Sequence, residues 1–194
     1  MTEPGLLLIR GLGHSGSTIL DLALGAHPQL IGLGEAVRVL ERPRLGEEHK
    51  GPQQLRGDLR FERRCTCGEL AGDCPVWGPL LAWLPAHDDR PLAEKLNRLI
   101  EPLTATSPRW MVESFQADEQ LLEAQALGRP VRVIQLTRDV RSWVHSESRR
   151  GVERHGRGGT VGWRSMLRWW RINRRWEQRL SLIHISEPTR RCYI

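Results

Sequence analysis

Residues 5–26, GLLLIRGLGHSGSTILDLALGA, limit the folds open to this chain more than any other stretch. Four apolar residues in a row (Leu6, Leu7, Leu8, Ile9) predict a short buried strand. Gly11, Gly13 and Gly16 follow, and a helical pattern opens at Ser17-Thr18. Glycines let the backbone turn tightly and approach a ligand closely. The unpaired N–H groups of a helix start, with the helix dipole behind them, attract an anion. Ser15, Ser17 and Thr18 add hydroxyl donors, so the expected ligand carries a phosphate or sulfate group. The spacing of Gly11, Gly16 and Thr18 nearly meets the phosphate-loop pattern GxxxxGK[ST], but Ser17 stands where the lysine belongs. A P-loop kinase or NTPase is therefore the disfavoured rival, and a strand–turn–helix with glycines for geometry alone is the plain alternative.

The formal charge of +6 suits an anionic ligand and leaves nucleic acid open on composition. Arginine supplies nearly all of the positive charge, since Lys50 and Lys95 are the only lysines. Arginine favours bidentate contacts to phosphate or carboxylate. At 194 residues the chain can build one domain with a real core. No signal peptide and no membrane span is expected, because residues 6–9 are too short for either. Four cysteines without a secretory signal point to a reducing, cytoplasmic setting.

Further along, His27-Pro28 ends the first helix. Residues 30–40, LIGLGEAVRVL, read as a short strand or turn presenting Glu35, then a helical segment carrying Arg38. Glu35 returns close to the glycine loop if the first strand is central; otherwise it is a solvated glutamate near a helix start. Residues 41–62 are polar and read as a surface loop or insertion without a core. Cys65, Cys67 and Cys74 lie in CTCGELAGDCPVW. Three cysteines lack a fourth zinc ligand, CxC is not the usual CxxC knuckle, and His87 is far along, so structural cysteines are expected rather than a metal site. Residues 91–101 have helical periodicity, with Leu92, Leu96, Leu99 and Ile100 on one face. Residues 109–112 suggest a buried strand ending at Glu113-Ser114, and residues 116–127 a helix.

Residues 131–136, VRVIQL, form a β-branched strand ending in Thr137-Arg138-Asp139, where Asp139 can cap the next helix. Strands alternating with helices indicate a parallel α/β sheet, whose ligands sit beyond the carboxyl ends of the strands. The glycine loop, Ser114 and Arg138 all fall at such ends. Residues 151–160 read as a mobile basic loop. Residues 161–179 form a helix dense in tryptophan and arginine, with Trp163, Leu167 and Trp170 on one stripe and Trp169, Ile172 and Trp176 beside it. Such a helix either packs in the core with a solvated arginine face or stacks on bases; the core role is expected. Residues 180–190, LSLIHISEPTR, look like a translated sequencing adapter. The expected organisation is a domain over 1–179, with 41–90 a loop and cysteine-containing insertion and 180–194 a non-native tail replacing the end of the domain.

Two loops meet one family pattern. GLGHSGSTIL resembles the 5′-phosphosulfate loop of sulfotransferases that use 3′-phosphoadenosine 5′-phosphosulfate (PAPS), and LTRDVRSWVHSES resembles their 3′-phosphate motif. SGSTILDLALGAHPQLIGLGEAVRV is similar to tyrosylprotein sulfotransferases, and CTCGELAGDCPVW to a cysteine element of bacterial sulfotransferase-like proteins. The resemblance implies a P-loop-like parallel sheet flanked by helices, PAPS as sulfonate donor with 3′-phosphoadenosine 5′-phosphate (PAP) as product, and no metal. It makes Gly13, His14, Ser15, Gly16, Ser17 and Thr18 the 5′-phosphosulfate site and Arg138 and Ser146 the 3′-phosphate site. It makes Glu35 the general base, His14 a second catalytic group and Arg38 a substrate contact. The acceptor it implies is a hydroxyl or amine of a small molecule, glycan or peptide, with no nucleic acid as partner. His14 stands where the family usually has Arg or Lys, and Glu113-Ser114-Phe115-Gln116 where relatives often have Asp-Ser-Ser-Lys.

Overall fold

The structure is a computed structural model that describes residues 5–43, 45–46, 51–57, 62–65, 67–106, 110–115, 128–155, 161–182 and 192–193. The apolar run after Gly5 is strand β1 (Leu6–Gly11), and the glycine turn leads into helix α1 (Ser17–Gly25). Then come β2 (Leu30–Gly32), α2 (Val37–Leu40), α3 (Trp77–Trp83) and α4 (Leu92–Thr106). Strands β3 (Trp110–Glu113) and β4 (Val131–Thr137) precede α5 (Val140–His155), α6 (Val161–Leu182) and a two-residue β5 (Cys192–Tyr193).

The strands form one sheet in the order β2-β3-β1-β4-β5, and every pairing is parallel. This is the α/β architecture that the alternating elements predict. β1 is central, with Leu8 beside Glu113 on one flank and Gly11 beside Leu136 on the other. The period-2 rule sends successive β1 side chains to opposite faces. Leu6 and Leu8 join Met111, Val133, Leu40, Leu99, Ile100 and Trp176 in the main core. Ile9 joins Val112 and Leu136 in a smaller one, against which Leu20 and Leu24 of α1 pack.

The insertion does not stand apart from the domain. Leu80, Leu81, Leu84 and Ala71 belong to the main core, and Leu55 packs against it. Arg56 donates to the Glu41 carbonyl and pairs with Asp88, which also faces Lys95 of α4. In the expected surface loop or insertion at 41–62, Leu55 packs against the main core, a contact that a single apolar residue does not signal in sequence.

Helix α4 buries Leu96, Leu99 and Ile100 as its pattern predicts, but it runs on through Pro102 to Thr106. The basic segment after residue 150 continues α5 to His155 rather than starting a loop; residues 156–160 and the expected helix at 116–127 lie outside the described residues. In α6 the buried face is Ser165, Asn173 and Trp176, whereas Trp163 and Trp170 are exposed. Of the two stripes read from the sequence, the one with Trp163 and Trp170 is thus the outer and the one with Trp176 the inner. Tail residues Cys192 and Tyr193 pair with Leu136 and Thr137 of β4. No helix among the described residues is long and apolar enough to cross a membrane.

One arginine–glutamate pair is wholly enclosed. Arg10 of β1 and Glu113 of β3 are 0% and 1% exposed, with 3.5 Å between them. Arg10 also donates to the carbonyls of Ile9 and Phe115. Burial pushes the Glu113 carboxyl up to about 8, against the pull of the Arg10 guanidinium. The folded chain therefore keeps a proton that the unfolded chain releases above its ordinary value of 4.5. Glu113 thus contributes stability that is fully present below that value and is lost as pH rises towards about 8, at about 1.4 kcal/mol per pH unit. Glu113→Gln is expected to remove this slope, which urea unfolding of both proteins across the same pH window would measure.

Candidate functional site

The glycine turn is held from beneath by its carbonyls. The Leu12 carbonyl accepts from the Ser15 amide at 3.1 Å. The Gly13 carbonyl accepts from the Trp143 indole at 2.9 Å, and the His14 carbonyl from the Arg138 guanidinium at 2.9 Å. Trp143 is 1% exposed, so α5 anchors the loop firmly. His14 and Gly16 have φ of 68° and 98°. Alternating left-handed residues of this kind curl successive amides into an anion-binding concavity. No acidic residue occupies the first turn of α1. Gly16 carries the left-handed conformation at little steric cost; at His14 the same conformation is uncommon for a residue with a Cβ.

The second strand tip meets the first. β4 lies in register with β1 up to Gly11–Leu136, so Arg138 emerges beside the loop. The Arg138 carbonyl accepts from the Trp169 indole of α6 at 2.9 Å. Asp139 caps α5 as expected, accepting from the amides of Arg141 and Ser142 at 3.1 and 3.2 Å. Its hydrogen bond from the Arg141 side chain holds the carboxyl below the usual range. The cap fixes the start of α5, and Ser146 follows about two turns along.

On the other flank, β2 delivers the Gly34–Glu35 turn. Its anchors are the Leu33 amide on Val112 and the Ser114 amide on Gly34, at 2.8 Å each. Asp21 of α1 lies beneath, 4% exposed, and accepts from the Ser114 side chain and the Gly34 amide. Burial raises its carboxyl above the ordinary value, partly offset by those two bonds. A Cβ on Gly32 would sit 2.8 Å from the Asp21 carboxylate, so a larger residue there would have to displace that side chain. Glu35 is exposed and pairs with Arg38 at 3.0 Å, and the Arg38 guanidinium also lies over the Phe115 ring.

These groups face one cavity of about 1040 Å³. Gly13, His14, Gly16, Ser17 and Thr18 line it, as do Glu35, Arg38, Arg138 and Ser146. Of the residues expected at the site, Ser15 alone is not part of that lining; it is 7% exposed and stiffens the turn through its amide. The cavity also has walls that sequence reasoning missed: Phe115, and Arg168, Ile172, Arg175 and Trp176 of α6. Glu147 lies 4.0 Å from His14 and 3.7 Å from Arg168, tying α5 to both. The only signal for α6 was its arginine density, which did not say which face turns inward. Among the described residues, Arg38, Arg138, Arg168 and Arg175 line the cavity against the one lining carboxylate of Glu35, a balance that suits an anion.

No protein-family profile and no curated protein matches the chain. A solved structure described as the sulfotransferase domain from the curacin biosynthetic pathway does. It aligns over 100% of this chain and 68% of that one, with a TM-score of 0.65 and 22% identity. The fold is that of a sulfotransferase domain. The likeness covers the whole chain, α5 and α6 included.

Proposed function

We propose that the chain is a PAPS-dependent sulfotransferase acting on a hydroxyl or amine of a small-molecule, glycan or peptide acceptor. The observation that carries this reading is the 2.9 Å contact between Arg138 and the His14 carbonyl. It sets a strand-tip arginine against the glycine loop on one cavity that Glu35 also lines. Ligand sites of about 300–1,000 Å³ are usual, so the cavity volume is ample for a nucleotide with its acceptor.

PAPS, when bound, supplies an activated sulfonate whose bond to the 5′-phosphate oxygen breaks on transfer. The amides and hydroxyls of the Gly13–Thr18 turn hold the phosphosulfate and stabilise charge on the departing phosphate. His14, at the same turn, adds charge when protonated. Arg138 and Ser146 select the nucleotide by its 3′-phosphate through charge-assisted hydrogen bonds. Glu35 takes the acceptor's proton as the acceptor oxygen or nitrogen bonds to sulfur. Arg38 orients both Glu35 and the incoming acceptor, and Arg38→Ala is expected to raise KM for the acceptor more than it lowers kcat.

The test is calorimetry with PAP, 5′-AMP and Mg·ATP, together with transfer of labelled sulfonate from PAPS to a panel of phenols, alcohols, amines and tyrosine peptides. The reading expects PAP to bind at least about 10-fold more tightly than 5′-AMP, on the strength of charge-assisted contacts to the added phosphate. Equal affinity for PAP and 5′-AMP, or Mg-dependent preference for ATP, would overturn it. Preference for PAP without transfer to any acceptor would place the chain among cofactor-binding but inactive proteins.

A further inference from the structure

Outside the arginine-lined cavity, the fold brings together a cluster of three thiols. The Sγ atoms of Cys65, Cys67 and Cys74 all lie within 4.8 Å of one another, and those of Cys65 and Cys74 are 3.6 Å apart. Three local devices bring them together. Arg64 and Leu70 bridge as an antiparallel pair, and the Ala71 amide reaches the Arg63 carbonyl, closing a hairpin that carries Cys65 and Cys67. Within it, the Cys65 amide bonds Glu69 and the Gly68 amide bonds Cys65, with Gly68 at a φ of 96° that glycine readily adopts. A turn on the Leu70 carbonyl then folds Cys74 back, and α3 starts just beyond it.

The backbone amides of Val76 and Trp77 donate to the Cys74 sulfur. Burial pushes the Cys74 thiol up overall, and these two amides oppose it, because amides aimed at a sulfur favour thiolate over thiol. A tetrahedral zinc ion with Zn–S bonds of about 2.3 Å holds its sulfurs about 3.8 Å apart, close to the Cys65–Cys74 spacing. A disulfide would draw two sulfurs to about 2.05 Å and leave the third thiol without a role.

We propose that Cys65, Cys67 and Cys74 form a three-thiolate site for a thiophilic divalent cation such as zinc, with water in the fourth position. Among the described residues no histidine or carboxylate joins the three. Cys65 also borders a cleft of about 450 Å³ with Arg63, Arg64 and Trp77, which gives room for a water ligand. Binding displaces the thiol protons and leaves the sulfur oxidation state unchanged. The metal would staple the hairpin to α3, whose Leu80 and Leu81 sit in the main core. Its role is structural and independent of the sulfotransferase reading.

The experiment uses the reduced full chain, stripped of metal and titrated with Co²⁺. The expected result is one ion per chain with a thiolate-to-cobalt charge-transfer band, abolished by excess Zn²⁺. Zinc is also expected to protect three of the four thiols from a disulfide reagent and to raise the melting temperature. Loss of a ligand should weaken binding by more than the about 10–100-fold that follows loss of a supporting partner. Cys74 is buried and Cys74→Ser could fail to fold, so the exposed Cys67→Ser is the decisive variant. No band with all thiols equally reactive, affinity unchanged in Cys67→Ser, or formation of a disulfide within the trio under zinc would each overturn the proposal.

Discussion

Glu35→Gln is expected to lower kcat for sulfonate transfer by about 10²–10⁴-fold, the usual contribution of a positioned general base. PAP affinity should stay within about two-fold, because Glu35 lies across the cavity from Arg138 on the β2 flank. The variant preserves size, removes the ability to accept a proton and reduces the ion pair with Arg38 to a hydrogen bond with a neutral acceptor. Glu35 is exposed and is carried by a turn whose backbone bonds do not involve its side chain, so folding should be untouched. Single-turnover assays with saturating PAPS would separate this from an effect on acceptor binding. A kcat within about three-fold of wild type would remove Glu35 from the chemistry.

Arg138→Ala is expected to cost about 10–100-fold in affinity for PAP, the weight of one or two charge-assisted hydrogen bonds. The same change should cost 5′-AMP much less, so nucleotide discrimination should collapse. Arg138 also tethers the His14 carbonyl, and a loosened loop would weaken both ligands equally. The ratio of the two affinities therefore separates recognition of the 3′-phosphate from support of the loop. Arg138→Lys should rescue part of the affinity by charge alone, though not the forked geometry. Calorimetry on the three proteins decides between these outcomes, and parallel losses for PAP and 5′-AMP would overturn the 3′-phosphate role.

The central strand, the glycine turn and the second strand tip were legible because each is local: an apolar run, fixed glycine spacing, and a β-branched run with a capping aspartate. Their meeting at one cavity followed from the rule for parallel sheets. The place of Glu35 near the loop was legible only on condition that the first strand is central, and its suggested role only through family resemblance, since one glutamate after a glycine has no periodic signature. The α6 wall was not legible. Periodicity found two tryptophan stripes but could not rank them, and the inner face of α6 is defined by Ser165, Asn173 and Trp176, two of them polar. Nor was Arg10–Glu113, because two charged residues within strand patterns look like solvent-facing positions until the sheet is covered on both sides. The cysteine trio was visible as spacing, but its convergence depends on a hairpin closed by backbone bonds at Arg63, Glu69 and Leu70 that composition does not reveal.

Strand order has an engineering corollary. Because β1 sits between β3 and β4, Arg138 arrives from one side of the glycine turn and the Glu35 segment from the other. The two sides share that turn and little else. Grafting the β2–α2 segment of another sulfotransferase fold onto this chain should accordingly retarget the acceptor while PAP discrimination survives, whereas a transplant of the α5 start should do the reverse.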